Sequence, residues 1–206
     1  MLGFPTQKQY LTAPLCFIAI LFLLEVTKPV SMQWFGFIPG DILNGEVWRL
    51  MTGQMLHTNF NHVLLNVSGV ALVWALHGEY YNTKHYVVAI CISLILVGIG
   101  ILLFGGNTNY AGVSGILHTL IVYGAIIDIK KHEKTGWLLL IGITAKVLYE
   151  LIVGPAQSTK DLIQADVAVE AHLIGCIVGI LMGLGYLFFN KAEPNKVDPN
   201  KVSLNK

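Results

Sequence analysis

The sequence predicts an all-α membrane protein that crosses the bilayer six times. Hydrophobic residues make up 54% of the 206 residues and charged residues only 12%, whereas soluble proteins contain about 25% charged residues. Six mainly apolar windows approach the roughly 17 to 25 residues that a transmembrane helix needs. They cover residues 10–27, 62–78, 86–104, 110–127, 136–153 and 167–190.

The distribution of basic residues predicts that both chain ends lie in the cytoplasm. Six spans place the two ends on one side of the membrane, together with the second and fourth loops. That side carries Lys8, Lys84, Lys130, Lys131, Lys134, Lys191, Lys196, Lys201 and Lys206. The opposite side carries Lys28, Arg49 and Lys160. Since lysine and arginine accumulate on the cytoplasmic side of membrane proteins, the lysine-rich side is predicted to be the inner one.

The loops and the tail differ in composition. The first outer loop, 31–49, is rich in aromatic residues, which favour the bilayer interface, so we expect this loop to lie there. The fifth loop, 154–166, starts with Gly-Pro and is otherwise polar, which is typical of a mobile outer lid. Residues 1–190 are thus predicted to form a single six-helix domain, and the polar segment 191–206 a disordered cytoplasmic tail.

Composition and spacing argue against several kinds of ligand. A net charge of +1 and the lack of basic runs interleaved with aromatic residues argue against nucleic acid. His57 and His62 suggest zinc, but residues five apart lie about 140° from each other on a helix, and the glutamate of HExxH is missing. We therefore expect no metal, no cofactor and no nucleic acid, while the oligomeric state stays open.

Polar side chains within the spans indicate the functional site, because they are costly in hydrocarbon. Ser114 lies near the outer end of span four and His172 near the outer end of span six. His62 and Asn66 open span two and, being four residues apart, share one helix face. We expect these four side chains to meet at a similar depth below the outer surface.

Together they form a set suited to hydrolysis of a peptide bond. Ser114 can attack the carbonyl carbon and His172 can accept the serine proton. The amide of Asn66, the ring of His62 and the backbone N–H of Ser114 can donate to the developing oxyanion. Both residues one helical turn before His172 are apolar, so no acid for a triad is evident and a Ser–His dyad is predicted.

Span six also carries a stripe of small residues. Gly175, Gly179 and Gly183 follow His172 at i+3, i+7 and i+11. Small residues let helix backbones approach closely in membranes, so this stripe is expected to press His172 against span four.

Other polar residues leave alternatives open. His118 lies one turn after Ser114 and can replace His172 as the base, although we favour packing of His118 against His172. Lys146 and Glu150 are expected to form a structural ion pair within span five. The histidines expected in solvent at the inner face are His77, His85 and His132.

Three motifs make the chain resemble the rhomboid intramembrane serine proteases. Residues 48–66, WRLMTGQMLHTNFNHVLLN, look like the family's Trp-Arg pair followed by histidines and HxxxN. GVSG at 112–115 resembles its GxSG nucleophile motif, and AHLIGCIVG at 171–179 resembles AHxxGxxxG. These motifs run in family order across most of the predicted core, which implies a six-transmembrane-helix rhomboid bundle.

The resemblance also implies roles for residues. Ser114 would be the nucleophile, His172 the general base, and His62 and Asn66 the oxyanion donors. Supporting positions are Gly112 and His118, and the structural motifs comprise Trp48, Arg49, His57, Gly175 and Gly179. The implied site is a water-accessible cavity, sunk from the outer face of a bacterial inner membrane and gated by the fifth loop and span five.

Two departures make the chain similar to one bacterial subgroup, the rhombosortases. Gly53 stands where many rhomboids carry a further histidine, and His118 stands where many carry tyrosine. The phrasing TGxxxHTNxNHxLLN and the absence of an extra domain fit the same subgroup. Rhombosortases are associated with trimming C-terminal sorting tails, which contain Gly-Gly followed by a spanning helix and basic residues. The implied partners are therefore single-span membrane protein substrates in the lipid bilayer.

Three other functions compete with this one. A general rhomboid protease would act on other substrates. A non-proteolytic protein that binds membrane clients would typically lack the serine or the histidine, and both are present. A small transporter with a histidine relay would favour inverted repeats or broken helices, and the sequence shows neither.

Overall fold

The computed structural model describes residues 4–106 and 108–190, and the predicted tail 191–206 lies outside them. The described chain is helical, which confirms the all-α part of the predicted fold class. Its α-helices are α1 (Lys8–Val26), α2 (Val30–Phe35), α3 (Pro39–Leu43), α4 (Arg49–Thr52), α5 (Phe60–His77), α6 (Thr83–Phe104), α7 (Ser114–Lys130), α8 (Lys134–Val153), α9 (Gln157–Ile163) and α10 (Val169–Phe189). Short 3-10 turns, Gly53–Met55 and Gly78–Tyr80, follow α4 and α5.

Five of the described helices, α1, α5, α6, α8 and α10, are long and apolar enough to cross a membrane. The fourth predicted span is α7, which has 17 residues and starts at Ser114 instead of Tyr110. The residues before it are not helical, because the N–H of Tyr110 donates to the carbonyl oxygen of Phe37 in the first loop at 3.2 Å. Passage of α7 across the membrane therefore stays a prediction.

Helix α7 lies at the centre of the bundle. Eleven of its 17 residues are buried, so it contacts protein over most of its surface and needs no wide apolar face toward lipid. Helix α10 packs closely along it: a Cβ atom on Gly175 would lie 2.1 Å from the carbonyl oxygen of Gly115, and one on Gly179 would lie 2.7 Å from that of Thr119. The Thr119 hydroxyl also donates to the carbonyl oxygen of Gly175 at 2.9 Å. The glycine stripe therefore faces span four.

Helix α8 lies at the periphery. Only Gly136 and Val147 are buried among its 20 residues. The fifth loop that follows is not irregular throughout, because it contains α9. This short helix is held at its C-terminal end by the start of α5, where Thr58 Oγ1 donates to the carbonyl oxygen of Ile163 at 2.6 Å and Asn59 Nδ2 donates to that of Leu162 at 3.1 Å.

The first loop folds into two short helices that pack back on the bundle. Its contact with the 3-10 turn after α4 is close, because a Cβ atom on Gly53 would lie 2.3 Å from the backbone nitrogen of Phe37. Because Gly53 has no side chain, the backbone of the first loop can occupy the space beside it.

At the other end of the bundle, the expectation of a solvated His77 is wrong. Its ring is fully buried, and Nε2 lies 3.4 Å from Oδ2 of Asp128. The hydroxyl of Tyr80 donates to the other oxygen of that carboxylate at 2.7 Å. A buried carboxylate requires such donors, and this requirement draws the end of α5 against α7. His85 and His132 are exposed.

Candidate active site

A cavity of about 580 Å³ opens at the end of the bundle where the first and fifth loops lie. Helices α5, α7, α8 and α10 all contribute to its wall. Ser114, His172, His62 and Asn66 line the same cavity, so the four side chains that were expected to meet do so.

Ser114 and His172 are in hydrogen-bonding contact. Ser114 is the first residue of α7, and His172 lies in the first turn of α10. The serine Oγ lies 3.0 Å from Nε2 of the histidine. The close approach of the two helices at Gly115 and Gly175 fixes this distance, since it sets their backbones side by side next to the contact.

The side of the cavity that is predicted to hold the oxyanion, called the oxyanion side below, is formed around Gly112. This residue has φ +117°, and a Cβ atom on it would lie 2.8 Å from Nε2 of His62 and 3.4 Å from Nδ2 of Asn66. Glycine adopts this φ without strain and leaves room for both side chains. The buried amide nitrogen of Asn66 has no hydrogen-bond partner among the described residues. Because Ser114 opens α7, its backbone N–H also belongs to the free donors of a helix N-terminus.

His118 packs against His172 and is committed to other partners. The two rings are stacked, with centroids 4.2 Å apart and planes 14° apart. Nδ1 of His118 lies 2.7 Å from the carbonyl oxygen of Ser114, and its Nε2 lies 3.1 Å from Nζ of Lys146. Within the described chain, the ring nitrogen that meets the Ser114 hydroxyl is Nε2 of His172, which disfavours His118 as the base.

Glu150 is the site residue that the sequence did not reveal. Lys146 and Glu150 pair at 2.7 Å as expected, but Oε2 of Glu150 also lies 2.8 Å from Nδ1 of His172. The expected dyad therefore has a carboxylate on its far side. The i, i+4 spacing of Lys146 and Glu150 was visible in the sequence, whereas the rotation of α8 that turns this pair toward His172 was not.

The structural motif residues anchor the first loop beside the site. The buried guanidinium of Arg49 donates to the carbonyl oxygens of Gly36 at 3.0 Å and Gln33 at 2.9 Å, and to Glu46 Oε2 at 2.7 Å. The exposed Trp48 donates its indole N–H to the carbonyl oxygen of Trp34 at 3.2 Å. Arg49 thus fixes the ends of α2 and α4 against each other.

His57 lies beneath the oxyanion side. Its ring is fully buried and meets that of His62 edge to face, with centroids 5.0 Å apart. Lys28 donates to its carbonyl oxygen, which ties the end of α1 to the start of α5. Among the described residues, these histidines belong to no group of three or more His, Cys, Asp or Glu side chains that could hold a metal ion.

Comparison with known proteins relates this chain to proteases. The sequence profile of the Rhomboid domain family matches residues 44–189. The chain is 31% identical over 156 residues to the rhomboid protease GlpG of Photorhabdus laumondii, covering 74% of this chain and 52% of that protein. It is 29% identical over 169 residues to the rhomboid protease GlpG of Yersinia pestis, covering 80% and 58%. The chain thus spans little more than half the length of the curated relatives it matches.

Proposed function

This chain belongs to the Rhomboid domain family, and on that premise we propose that it is an intramembrane serine endopeptidase. One contact carries this function, the 3.0 Å approach of Ser114 Oγ to Nε2 of His172 in the wall of the cavity. A hydroxyl hydrogen-bonded to an imidazole is the arrangement in which a serine becomes a nucleophile.

Acylation begins when Ser114 Oγ attacks the scissile carbonyl carbon and its proton passes to Nε2 of His172. The negative charge on the carbonyl oxygen is met by the Asn66 amide, the His62 ring and the backbone N–H of Ser114. The C–N bond then breaks and the leaving amine takes the proton from His172. Water from the cavity completes the reaction by attacking the acyl-enzyme, again with His172 as base.

The donors of the oxyanion side are pre-oriented. Nδ1 of His62 lies 3.4 Å from the backbone nitrogen of Thr58 and 3.0 Å from its Oγ1, and these contacts orient the ring so that Nε2 is the nitrogen beside Gly112. The Asn66 amide has no protein acceptor that competes for its protons within the described chain. An oxyanion would satisfy a donor that is otherwise buried without a partner.

We propose single-span membrane proteins as substrates, cut near the outer boundary of their helix, and C-terminal Gly-Gly sorting tails in particular. Peptide bonds within a helix are shielded by the helix's own hydrogen bonds, so a substrate must unwind before it is cut. Glycine lowers that cost, because it is less favourable in a helix than alanine by about 1 kcal/mol. Gly53 and His118, which make the chain similar to the rhombosortases, support this substrate class.

A fluorophosphonate probe tests the nucleophile and the base. The purified chain should be labelled, and Ser114→Ala should lose all labelling because the attacking oxygen is gone. His172→Ala should slow labelling by about 10³-fold or more, whereas His118→Ala should slow it by less than about tenfold, since only His172 meets the serine hydroxyl. If the probe does not label His118→Ala but does label His172→Ala, the base is His118 and not His172.

Mass spectrometry of a co-expressed reporter tests the substrate class. A reporter that ends in Gly-Gly, a spanning helix and basic residues should release a fragment with a new C-terminus near the glycines, and Ser114→Ala should release none. Cleavage of other single-span helices with the Gly-Gly tail left intact would favour a general rhomboid protease. A chain that binds these reporters but neither cuts them nor reacts with the probe would favour a non-proteolytic client-binding protein.

A further inference from the structure

We infer that Glu150 on α8 is a positioning residue for the catalytic base, which makes the site a Ser–His–Glu triad instead of a dyad. This inference rests on the proposed function, because it assigns Glu150 a part in that same reaction. The contact that motivates it joins Oε2 of Glu150 to Nδ1 of His172 at 2.8 Å, on the far side of the ring from Ser114.

The position of one proton decides what this contact does. A neutral imidazole carries a proton on one nitrogen and a lone pair on the other, and only a lone pair on Nε2 can accept the serine proton. An ionised carboxylate accepts hydrogen bonds and cannot donate them. Glu150 at Nδ1 therefore holds the proton on Nδ1 and leaves Nε2 of His172 free for Ser114. It also faces the charge that the ring acquires when it takes the serine proton.

Lys146 competes for the same ring nitrogen, since its Nζ lies 3.0 Å from Nδ1 of His172. An ammonium donating to Nδ1 would require a lone pair there and would move the proton to Nε2, the wrong form for a base. Two contacts direct Lys146 elsewhere. It pairs with Glu150 at 2.7 Å, and it faces Nε2 of His118 at 3.1 Å.

His118 completes the network by accepting from Lys146. Its Nδ1 lies 2.7 Å from the carbonyl oxygen of Ser114, and a carbonyl only accepts, so the proton of neutral His118 is on Nδ1. Its Nε2 then carries a lone pair for Lys146. The stacked histidines thus both carry the proton on Nδ1, with Lys146 bound to Nε2 of His118 and Glu150 bound to Nδ1 of His172.

The carboxylate that orients the base comes from the peripheral helix. Ser114 and His172 lie on α7 and α10, which touch backbone to backbone, but Glu150 lies on α8, which has only two buried residues among 20. Movement of α8 away from the bundle would remove Glu150 from His172 while leaving the Ser114–His172 contact in place. His172 is therefore held in the tautomer that a base requires only while α8 packs against the bundle.

Steady-state cleavage of a single-span reporter by Glu150→Gln tests this inference. The amide nitrogen of glutamine can donate to Nδ1 and so favours the wrong tautomer, and kcat should fall by about 100-fold with KM nearly unchanged. The matched control is Glu170→Gln, which removes an exposed carboxylate two residues from His172 that makes no hydrogen bond to its ring. The control should retain kcat within about threefold.

A spectroscopic readout separates this inference from the proposed function. In protein labelled with ¹⁵N-histidine, with His172→Ala used for assignment, Nδ1 of His172 should give the signal of a protonated nitrogen in wild type and shift toward the other tautomer in Glu150→Gln. Wild-type kcat in Glu150→Gln, or an unchanged His172 spectrum, would overturn the positioning role. A wild-type chain that neither cleaves nor reacts with fluorophosphonate would overturn the proposed function, and the triad with it, whatever the spectrum shows.

Discussion

At the scale of single residues, His57 shows how burial next to the site affects stability. Its ring is fully enclosed between the end of α4 and the start of α5. Burial, and to a lesser degree the neighbouring His62 and Lys28, lowers the pKa of His57 to about 3 from 6.5. Burial would strip an imidazolium of its hydration, so the folded chain holds this ring in its neutral form.

The consequence is a loss of stability in mild acid. Between pH 6.5 and 3 the unfolded chain protonates His57 and the folded chain does not, so the free energy of unfolding falls as pH falls through that window. At pH 5, protonation of His57 in the unfolded chain lowers the free energy of unfolding by about 2 kcal/mol. Thermal unfolding in detergent at pH 7 and pH 5 should show a smaller acid shift for His57→Gln than for wild type. The exposed His85→Gln should keep the wild-type shift, and equal shifts in all three proteins would contradict this account.

How far the sequence predicts the site depends on where each residue gets its position. Ser114, His172, His62 and Asn66 lie at helix starts on the same side of the bundle, and counting along the chain is enough to bring them together. Glu150 lies in the last turn of α8. Counting residues along α8 gives the depth of Glu150 in the membrane. The direction in which its side chain points depends on how this peripheral helix is rotated about its axis. Side-chain packing sets that rotation, and the spacing of Lys146 and Glu150 does not say which neighbouring helix their face of α8 meets.

At the scale of elements, the contact between α7 and α10 holds Ser114 and His172 together. It is made by backbone atoms, since Gly175 leaves no side chain between the helices and its own carbonyl oxygen accepts from Thr119. Close backbone packing of this kind stabilises helix pairs in membranes, where lipid competes with apolar side chains for contact.

Alanine substitution along α10 tests this contact. In Gly175→Ala the new Cβ atom would lie 2.1 Å from the Gly115 carbonyl oxygen, so the helices must separate. We expect a loss of about 2 to 3 kcal/mol in unfolding free energy, together with slower fluorophosphonate labelling. Gly185→Ala on the same helix has open space at its Cβ and should be neutral or slightly stabilising. Similar unfolding temperatures for both variants would show that the contact does not limit stability.

The sequence predicts the ends of a helix correctly where hydropathy alone sets them. It misses them where contacts with distant segments or the backbone conformation set them. Helix α6 coincides closely with its apolar window. Helix α7 begins four residues late, because Tyr110 pairs with Phe37 and Gly112 takes a φ of +117° that a helix excludes. The fifth loop was predicted only as a mobile outer lid, and the sequence did not reveal that it contains α9, which Thr58 and Asn59 anchor. Pairing between distant segments is not encoded in local composition.

At the scale of the whole molecule, the open question is how the chain crosses the membrane. Five helices satisfy length and apolarity, and α7 has the central position but only 17 residues. If α7 also crosses, both ends of the described chain lie on one side, and the excess of lysine predicts that this side is cytoplasmic.

Cysteine labelling in intact cells tests this topology. In a chain whose three natural cysteines are replaced by alanine, the exposed positions Thr108→Cys and Asp161→Cys should react with a membrane-impermeant maleimide from outside. Glu133→Cys, between α7 and α8, should react only after the membrane is permeabilised. Equal external reactivity of residues 108 and 133 would mean that α7 does not cross. Reaction of residue 133 alone would invert the orientation.

The contact of Gly53 with the first loop also constrains how this sequence can diverge. With the backbone of Phe37 2.3 Å from the place of a Cβ atom, no single substitution can restore the histidine that many rhomboids carry at this position. The loop path would have to change at the same time. We therefore expect Gly53 and the 31–49 loop to change together, and a chimaera with a histidine-bearing relative should exchange both or neither.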